Sequence, residues 1–309
     1  MDWGTRIFRS LLLSLAGNKP AERLAAKYGL RLGANRFIAG LTLDEAVDRV
    51  RILNNQGICV TLDHLGEGID RIAEADAYRN EYIRLLERIS DTNIQATVSL
   101  KPTQMGLTLD PERCYANIRD IVAAAGSRDN FVTLDMEDTS CTAATIDLVR
   151  RLRAEGLSSV GTVIQAYLYR SEEDVRQLTR EGVALRLVKG AYKEPRTLAY
   201  PKLTDVDANF LRLIELRLGS EAYTAIATHD ERIIDWTKRY AYANVIPLDR
   251  FEFQMLYGVR SLLQKRLADE GYTVRCYVPY GRMWYPYFVR RLAERPANAL
   301  FILKNRFRR

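Results

Sequence analysis

Ionisable and aromatic side chains recur in this chain at one kind of place, the end of a short apolar run. Lys101 closes IQATVSLK (94–101) and is stopped by Pro102, while Asp135, Glu137 and Asp138 close FVTLDMED (131–138). The run ALRLVKGAY (184–192) carries Arg186, Val188, Lys189, Gly190, Ala191 and Tyr192, and TAIATHD (224–230) ends in Thr228, His229 and Asp230. FEFQML (251–256) offers Glu252 and Gln254, and VRCYVPYG (274–281) offers Tyr277 and Tyr280. A lysine held at such an end grips a carboxylate or, when desolvated, acts as a nucleophile. Strand alternation puts Asp135 and Glu137 on one side and Met136 on the other. Asp135 reads as a site carboxylate. A metal would want a histidine near this acidic trio, and none is near in sequence.

The arginine and lysine of 184–192, beside the bare backbone of Gly190-Ala191, suit a flat or phosphorylated anionic cofactor. Beyond the last run comes WYPYFVRRLAERPAN (284–298). Adjacent arginines on a helix point about 100° apart, so Arg290 and Arg291 can share one anion only near the helix start, facing the site. With aromatic neighbours they read as a grip on a small carboxylate attached to an apolar ring. The plainer alternative is a solvated arginine pair behind a core aromatic stripe.

The elements that must position these groups are eight strands, the two remaining being ICVTLDH (58–64) and VGTVIQAY (160–167). A helical pattern separates each from the next, which is the order of an α/β (β/α)8 TIM-type barrel with its site at the C-terminal strand ends. An open doubly wound sheet is the alternative, but GxGxxG after the first strand is absent. Residues 1–55 form an N-terminal helical arm and 56–309 the barrel. Helices are expected over 21–28 and over 43–53, the latter with Thr42 and Glu45 as a capping box. Pro111 opens a later helix, Ser171-Glu172-Glu173-Asp174 caps another, and Gly126, Gly156, Gly182, Gly219 and Gly271 are expected as left-handed C-terminal caps.

The 309 residues are 47% hydrophobic and 28% charged, an ordinary globular balance. Four of the net +7 charges lie in the last six residues, so the body is only mildly basic. That tail reads as a solvated terminus or as a patch for an anionic membrane, and no nucleic-acid module accompanies it. Four scattered cysteines and two histidines make no zinc cluster and suit reduced, structural thiols in the cytoplasm. No apolar run reaches the ~20 residues of a membrane span. Residues 6–17 read as a helix packed on the body or resting on a membrane surface.

Taken together, VSLKPTQMG (98–106), FVTLDMED, LRLVKGAY (185–192), ATHD (227–230), FEFQMLYG (251–258), YVPYG (277–281) and 284–298 resemble proline dehydrogenase, closest to its short monofunctional bacterial form. The resemblance implies a distorted barrel that holds FAD, oxidises L-proline to Δ1-pyrroline-5-carboxylate and passes electrons to a membrane quinone. It implies that Arg290, Arg291 and Lys101 bind the carboxylate, and that Tyr277 and Tyr287 pack on the ring. It places Asp135 and Arg186 at the reacting centre. Met136, Gln165, Val188, Lys189, Gly190, Ala191, Thr228 and His229 line the cofactor with Arg186, and Tyr192 and Glu294 belong to a closing gate. It leaves open a peripheral membrane contact at the inner face of the cytoplasmic membrane and a separate pyrroline-5-carboxylate dehydrogenase that receives the product.

Two other readings compete. One is an aldolase-type barrel with Lys101 or Lys189 as a Schiff-base nucleophile. The other is a non-enzymatic scaffold docking to membranes through its basic tail.

Overall fold

Eight parallel strands close into a barrel in sequence order, from β1 (Cys59–His64) round to β8 (Val274–Tyr280), which pairs back onto β1. The computed structural model describes residues 34–66 and 68–294. The expected segments at 6–17 and 21–28, and the basic tail, lie outside the described residues. The intervening strands are β2 (Ala96–Leu100), β3 (Val132–Leu134), β4 (Val160–Gln165), β5 (Leu185–Val188), β6 (Thr224–Ala227) and β7 (Phe251–Leu256). A helix α1 (Leu43–Asn54) precedes the barrel. Helices α2 (Ile72–Thr92), α3 (Pro111–Gly126), α4 (Thr139–Ala154), α5 (Ser171–Arg180), α6 (Leu203–Leu218), α7 (Glu231–Ala243) and α8 (Ser261–Asp269) connect the strands, and α9 (Tyr285–Glu294) follows the last.

The helix signals act as their chemistry requires, with three exceptions. Thr42 and Glu45 complete the capping box of α1, and Pro111 opens α3. Gly156, Gly182 and Gly271 take positive φ just past their helices. Gly219 instead has φ −74°, and Gly126 is still helical with Ser127 as the cap. Those two ends close with right-handed residues, so the glycine there is not needed for its left-handed freedom. Arg170, without a side-chain cap bond, holds the N-cap of α5; Ser171 is already helical, though Glu172, Glu173 and Asp174 do occupy the positive first turn.

The register decides what the barrel contains. Asp63 pairs with Ser99, Ser99 with Thr133, Val163 with Arg186, Gln254 with Arg275, and Thr61 with both Thr97 and Tyr277. Register partners in adjacent strands share a face, so this polar set fills the interior where branched apolar side chains usually dominate. The alternate face, with Val60, Leu62, Val98 and Leu100 fully buried, packs on the helices as the main core. A second, separate apolar cluster joins Phe37 and Ile38 to Leu65, Val259, Trp284, Tyr285, Tyr287 and Val289.

Candidate active site

β3 ends at Leu134, one residue before the first carboxylate. Asp135 continues the inward face of Thr133, the register partner of Ser99, and Glu137 lies beyond the strand. Its Oδ1 accepts from Arg186 Nη1 at 2.6 Å and from Ser99 Oγ at 2.7 Å, and its Oδ2 accepts from the Tyr277 hydroxyl at 2.7 Å. Side chains from β2, β5 and β8 meet at this one carboxylate beyond the end of β3. Burial, then the Asp135 charge, raises the Tyr277 pKa well above that of a free phenol, so the hydroxyl stays a donor. Glu137 does not share the position that alternation assigned to it. Its oxygens accept from the Thr103 backbone N at 3.0 Å and the Thr103 hydroxyl at 2.6 Å, at the short helical turn that follows β2. Asp138 caps α4 through Ser140 N.

Lys101 points its ammonium at Asp63 Oδ2, 3.2 Å away, and Asp63 is 1% exposed. The single Tyr82 hydroxyl proton faces both the Ser99 carbonyl at 2.9 Å and, more distantly, Asp63 Oδ1 at 3.3 Å. Burial works to lower the Lys101 pKa. Asp63, Asp135 and Tyr192 outweigh it, and the group is held above the ordinary lysine value. A lysine kept charged in this way is a poor Schiff-base nucleophile and a good carboxylate partner.

Arg290 and Arg291 lie in the second turn of α9 rather than at its start. The Arg291 guanidinium sits 5.2 Å from the centre of the Tyr287 ring. Arg290, Lys101, Asp135 and Glu137 all stand close enough to Tyr192 to act electrostatically on its hydroxyl, which brings the helix arginine and the strand-end groups around one mouth. The side chain of Glu294 lies outside the described residues.

The other strand ends form the neighbouring wall. Gln165 is buried and donates to the Glu137 carbonyl at 2.8 Å. His229 Nε2 accepts from Leu256 N at 3.0 Å, which fixes the proton on Nδ1 of a neutral ring. Thr228 and Met136 are buried, and Val188 is half-buried. Lys189 pairs with Asp207 at 2.6 Å and Asp230 at 3.3 Å. Gly190 has φ +111°, but the open space expected above Gly190-Ala191 is taken: a Cβ on Gly190 would lie 2.2 Å from Cδ1 of the Tyr167 ring. Ala191 is exposed.

Three comparisons bear on this arrangement. The family model for proline dehydrogenase matches residues 46–304. The chain belongs to the proline dehydrogenase family. It is 46% identical to proline dehydrogenase 1 of Bacillus subtilis, over 96% of this chain and 98% of that one. It is 44% identical to the proline dehydrogenase of Deinococcus radiodurans, over 97% of both chains. The solved proline utilization A of Bdellovibrio bacteriovorus, inactivated by N-propargylglycine, superposes with a TM-score of 0.82 at 28% identity, over 94% of this chain and 36% of that one. As in the short members of the family, the match runs nearly end to end. Family membership makes the chain an oxidoreductase of proline catabolism.

A proline dehydrogenase of this fold implies a flavin, and the residues fit one. Arg186 is 6% exposed, yet its Nε and Nη2 have no hydrogen-bond partner among the described residues. Buried guanidinium donors of this kind call for acceptor atoms, which an isoalloxazine edge carries. Among the described residues no group of three His, Cys, Asp or Glu side chains is placed to hold a metal ion.

The sequence reading did not single out Asp63 and Ser99, which the structure brings into this cluster. Asp63 was legible in the polar end of the first strand, whereas Ser99 follows only from the register that puts it opposite Asp63. Glu252 and Gln254 are not mouth residues as expected. Glu252 stands at the beginning of β7 and Gln254 in its middle; Glu252 pairs with Arg275 at 2.8 Å and accepts from the Tyr223 hydroxyl. Both line a basal cavity of about 280 Å³ with Thr97, Thr133 and Thr162. Tyr280 stacks on His64 at 5.1 Å, and burial lowers the His64 pKa, leaving a neutral ring packed under the mouth.

Proposed function

We propose that this chain oxidises L-proline to Δ1-pyrroline-5-carboxylate with FAD as its bound acceptor, and that the electrons pass on to a membrane quinone. The observation that carries the reading is the convergence of Arg186, Ser99 and Tyr277 on Asp135, beside a lysine kept cationic by Asp63. Arg290, Arg291 and Lys101 bind the carboxylate, and Tyr277 and Tyr287 hold the faces of the ring. Asp135 fixes the guanidinium plane of Arg186, and Tyr192 and Glu294 close over the substrate.

Oxidation removes a hydride from the ring carbon beside nitrogen and a proton from nitrogen. The amine must be neutral first, because its lone pair stabilises the carbon–nitrogen double bond that forms. Three cations around the carboxylate disfavour a further positive charge on the adjacent amine, so they favour loss of its proton to solvent. Binding energy from the carboxylate then orients the ring. FAD, when bound, supplies the two-electron acceptor. Arg186, Gln165, Met136, Val188, Lys189, Gly190, Ala191, Thr228 and His229 would hold it.

The wider assignments belong to the same proposal. Residues 1–55 form an arm and 56–309 the catalytic barrel. The protein works in the cytoplasm with a peripheral contact at the membrane that supplies quinone, and its product passes to a separate pyrroline-5-carboxylate dehydrogenase. No described helix is long and apolar enough to cross a membrane.

The test is an anaerobic spectrum of the purified, flavin-supplemented protein. It should be yellow and bleach on addition of L-proline. Colourless protein that reduces no acceptor dye with proline defeats the reading, and borohydride trapping of a lysine adduct would point to the aldolase instead.

A further inference from the structure

The helix that carries Arg290 and Arg291 is not seated on the barrel's main core. Its described buried apolar residues, Tyr285, Tyr287 and Val289, belong to the second cluster, which Phe37 and Ile38 from the chain ahead of α1 share with Leu65 and Val259 from the loops after β1 and β7. Phe37 is 2% and Ile38 1% exposed, so both are fully committed to it. The Phe37 ring lies 6.1 Å from that of Phe288, which packs at 5.7 Å on Trp284 just before the helix. The backbone of 39–40 is tied to the end of β8, where the loop that leads into α9 begins. Ala39 N donates to the Pro279 carbonyl at 3.0 Å, and Gly281 N donates to the Gly40 carbonyl at 3.0 Å. A third contact holds the near end. A Cβ on Gly258 would fall 1.7 Å from the Arg36 carbonyl oxygen, so the segment runs directly against the loop after β7.

These contacts connect to the site through one residue. Tyr287 belongs to the cluster and also lies against the Arg291 guanidinium. A shift of the cluster moves α9, and α9 moves both arginines together. Side chains in a close-packed cluster transmit such shifts, because voids are not tolerated.

We propose that residues 37–40 are a positioning strap for α9, so that a segment outside the barrel sets how tightly the substrate carboxylate is held. Phe37 and Ile38 touch neither substrate nor cofactor in this proposal; they act through Tyr287 and the two arginines. The inference rests on the reading of Arg290 and Arg291 as the carboxylate grip, and the experiment separates the two.

The experiment uses the full-length, flavin-loaded protein and follows KM, kcat and bound flavin for Phe37→Ala, Phe37→Leu and Arg291→Met. The expected result for Phe37→Ala is a KM for L-proline raised on the order of tenfold, with kcat at saturation within about twofold and flavin content unchanged. Phe37→Leu, which refills most of the volume, should restore KM. Cyclopentanecarboxylate, which offers the carboxylate and ring without the amine, should lose affinity in parallel. If Arg291→Met raises KM and Phe37→Ala does not, the strap is overturned and the grip stands. If Arg291→Met leaves KM unchanged, the grip itself has failed. Loss of thermal stability or flavin in Phe37→Ala with an unchanged KM also overturns the strap. Should Phe37→Ala not fold, Ile38→Val decides in the same way: a raised KM supports the strap and an unchanged KM rejects it.

Discussion

Asp63 Oδ2 and Lys101 Nζ stand 3.2 Å apart at the ends of neighbouring strands, and the carboxylate partner is 1% exposed while the lysine side chain is 21% exposed. A buried carboxylate is costly unless it is paired, so the two charges hold each other in place. Burial opposes the charge on Lys101; Asp63 leads the groups that sustain it, with Asp135 and Tyr192 behind, and Glu137 adds a nearby carboxylate.

The first prediction concerns pH. The Lys101 pKa is raised above its free value of 10.5, so its contribution to stability is complete below that pH and is lost only as pH rises through the higher folded value. In Asp63→Asn the leading support is gone and burial dominates, so the folded pKa drops. The KM for proline should then acquire a rise on the alkaline side that the unaltered protein lacks below about pH 10. Stability should also fall, by less than the ~3–5 kcal/mol of a fully buried broken pair because Lys101 keeps contact with water. Steady-state KM against pH, with flavin content checked at each point, reads this. Superimposable profiles would show that Asp63 does not govern the lysine.

A second prediction concerns Glu194, in the segment that joins β5 to α6 and carries Tyr192. Glu194 accepts from Thr139 N at 2.9 Å and from the Thr139 hydroxyl at 2.7 Å, at the positive end of α4. The carboxylate therefore pins the segment that carries Tyr192 to a helix start. Glu194→Gln removes the charge and weakens a cap worth ~0.5–2 kcal/mol. Amide hydrogen exchange over 190–200 should quicken and proline KM should rise a few-fold, with kcat little altered. Unchanged exchange in that segment would mean that Tyr192 is positioned by something else.

The strand–helix alternation, the polar strand ends and the motif order were enough to read the barrel and to bring Lys101, Asp135, Arg186, Tyr277 and the two arginines to one end of it. What escaped depended on where a strand stops and on register. Asp135 and Glu137 separate because β3 ends at Leu134, and no periodicity announces that end. Glu252 falls to the base of the barrel because its position along β7, not its residue type, sets its depth. Gly190 looked like open backbone because the ring covering it, Tyr167, comes from the end of another strand. The strap at 37–40 was hidden for a related reason. Its partners are some 220–250 residues away in the chain, and only the closed barrel brings them together.

Gly190 supports a third prediction. Its φ of +111° is strained for any side chain, and Tyr167 leaves no room for a Cβ. Gly190→Ala should destabilise the protein by ~1–3 kcal/mol and displace the Tyr167 ring. Combined with Tyr167→Ala, the steric part disappears and only the backbone cost remains, so the two changes should be less than additive. Urea denaturation of the single and double variants measures the coupling. Full additivity would show that the ring and the glycine are independent.

The last prediction separates the hydroxyl of Tyr277 from its ring. The hydroxyl donates to Asp135 Oδ2 at 2.7 Å, and the ring lies 5.4 Å from the Arg186 guanidinium carbon. Tyr277→Phe keeps the ring and removes a hydrogen bond to a charged group, a loss of ~1.5–3 kcal/mol of stability. Because the tyrosine pKa is raised, chiefly by burial, the hydroxyl remains a donor across neutral and mildly alkaline pH, and the stability difference between the two proteins should be constant there. Asp135 would keep Arg186 and Ser99 but lose its tie to β8, so Arg186 is the group that loosens. With the arginines, Lys101 and the ring in their proposed roles as the proline contacts, proline KM should change little, while the rate of anaerobic flavin reduction should fall. The opposite split, with KM raised and the reduction rate intact, would assign Tyr277 to substrate binding alone and remove Asp135 from its role in orienting Arg186.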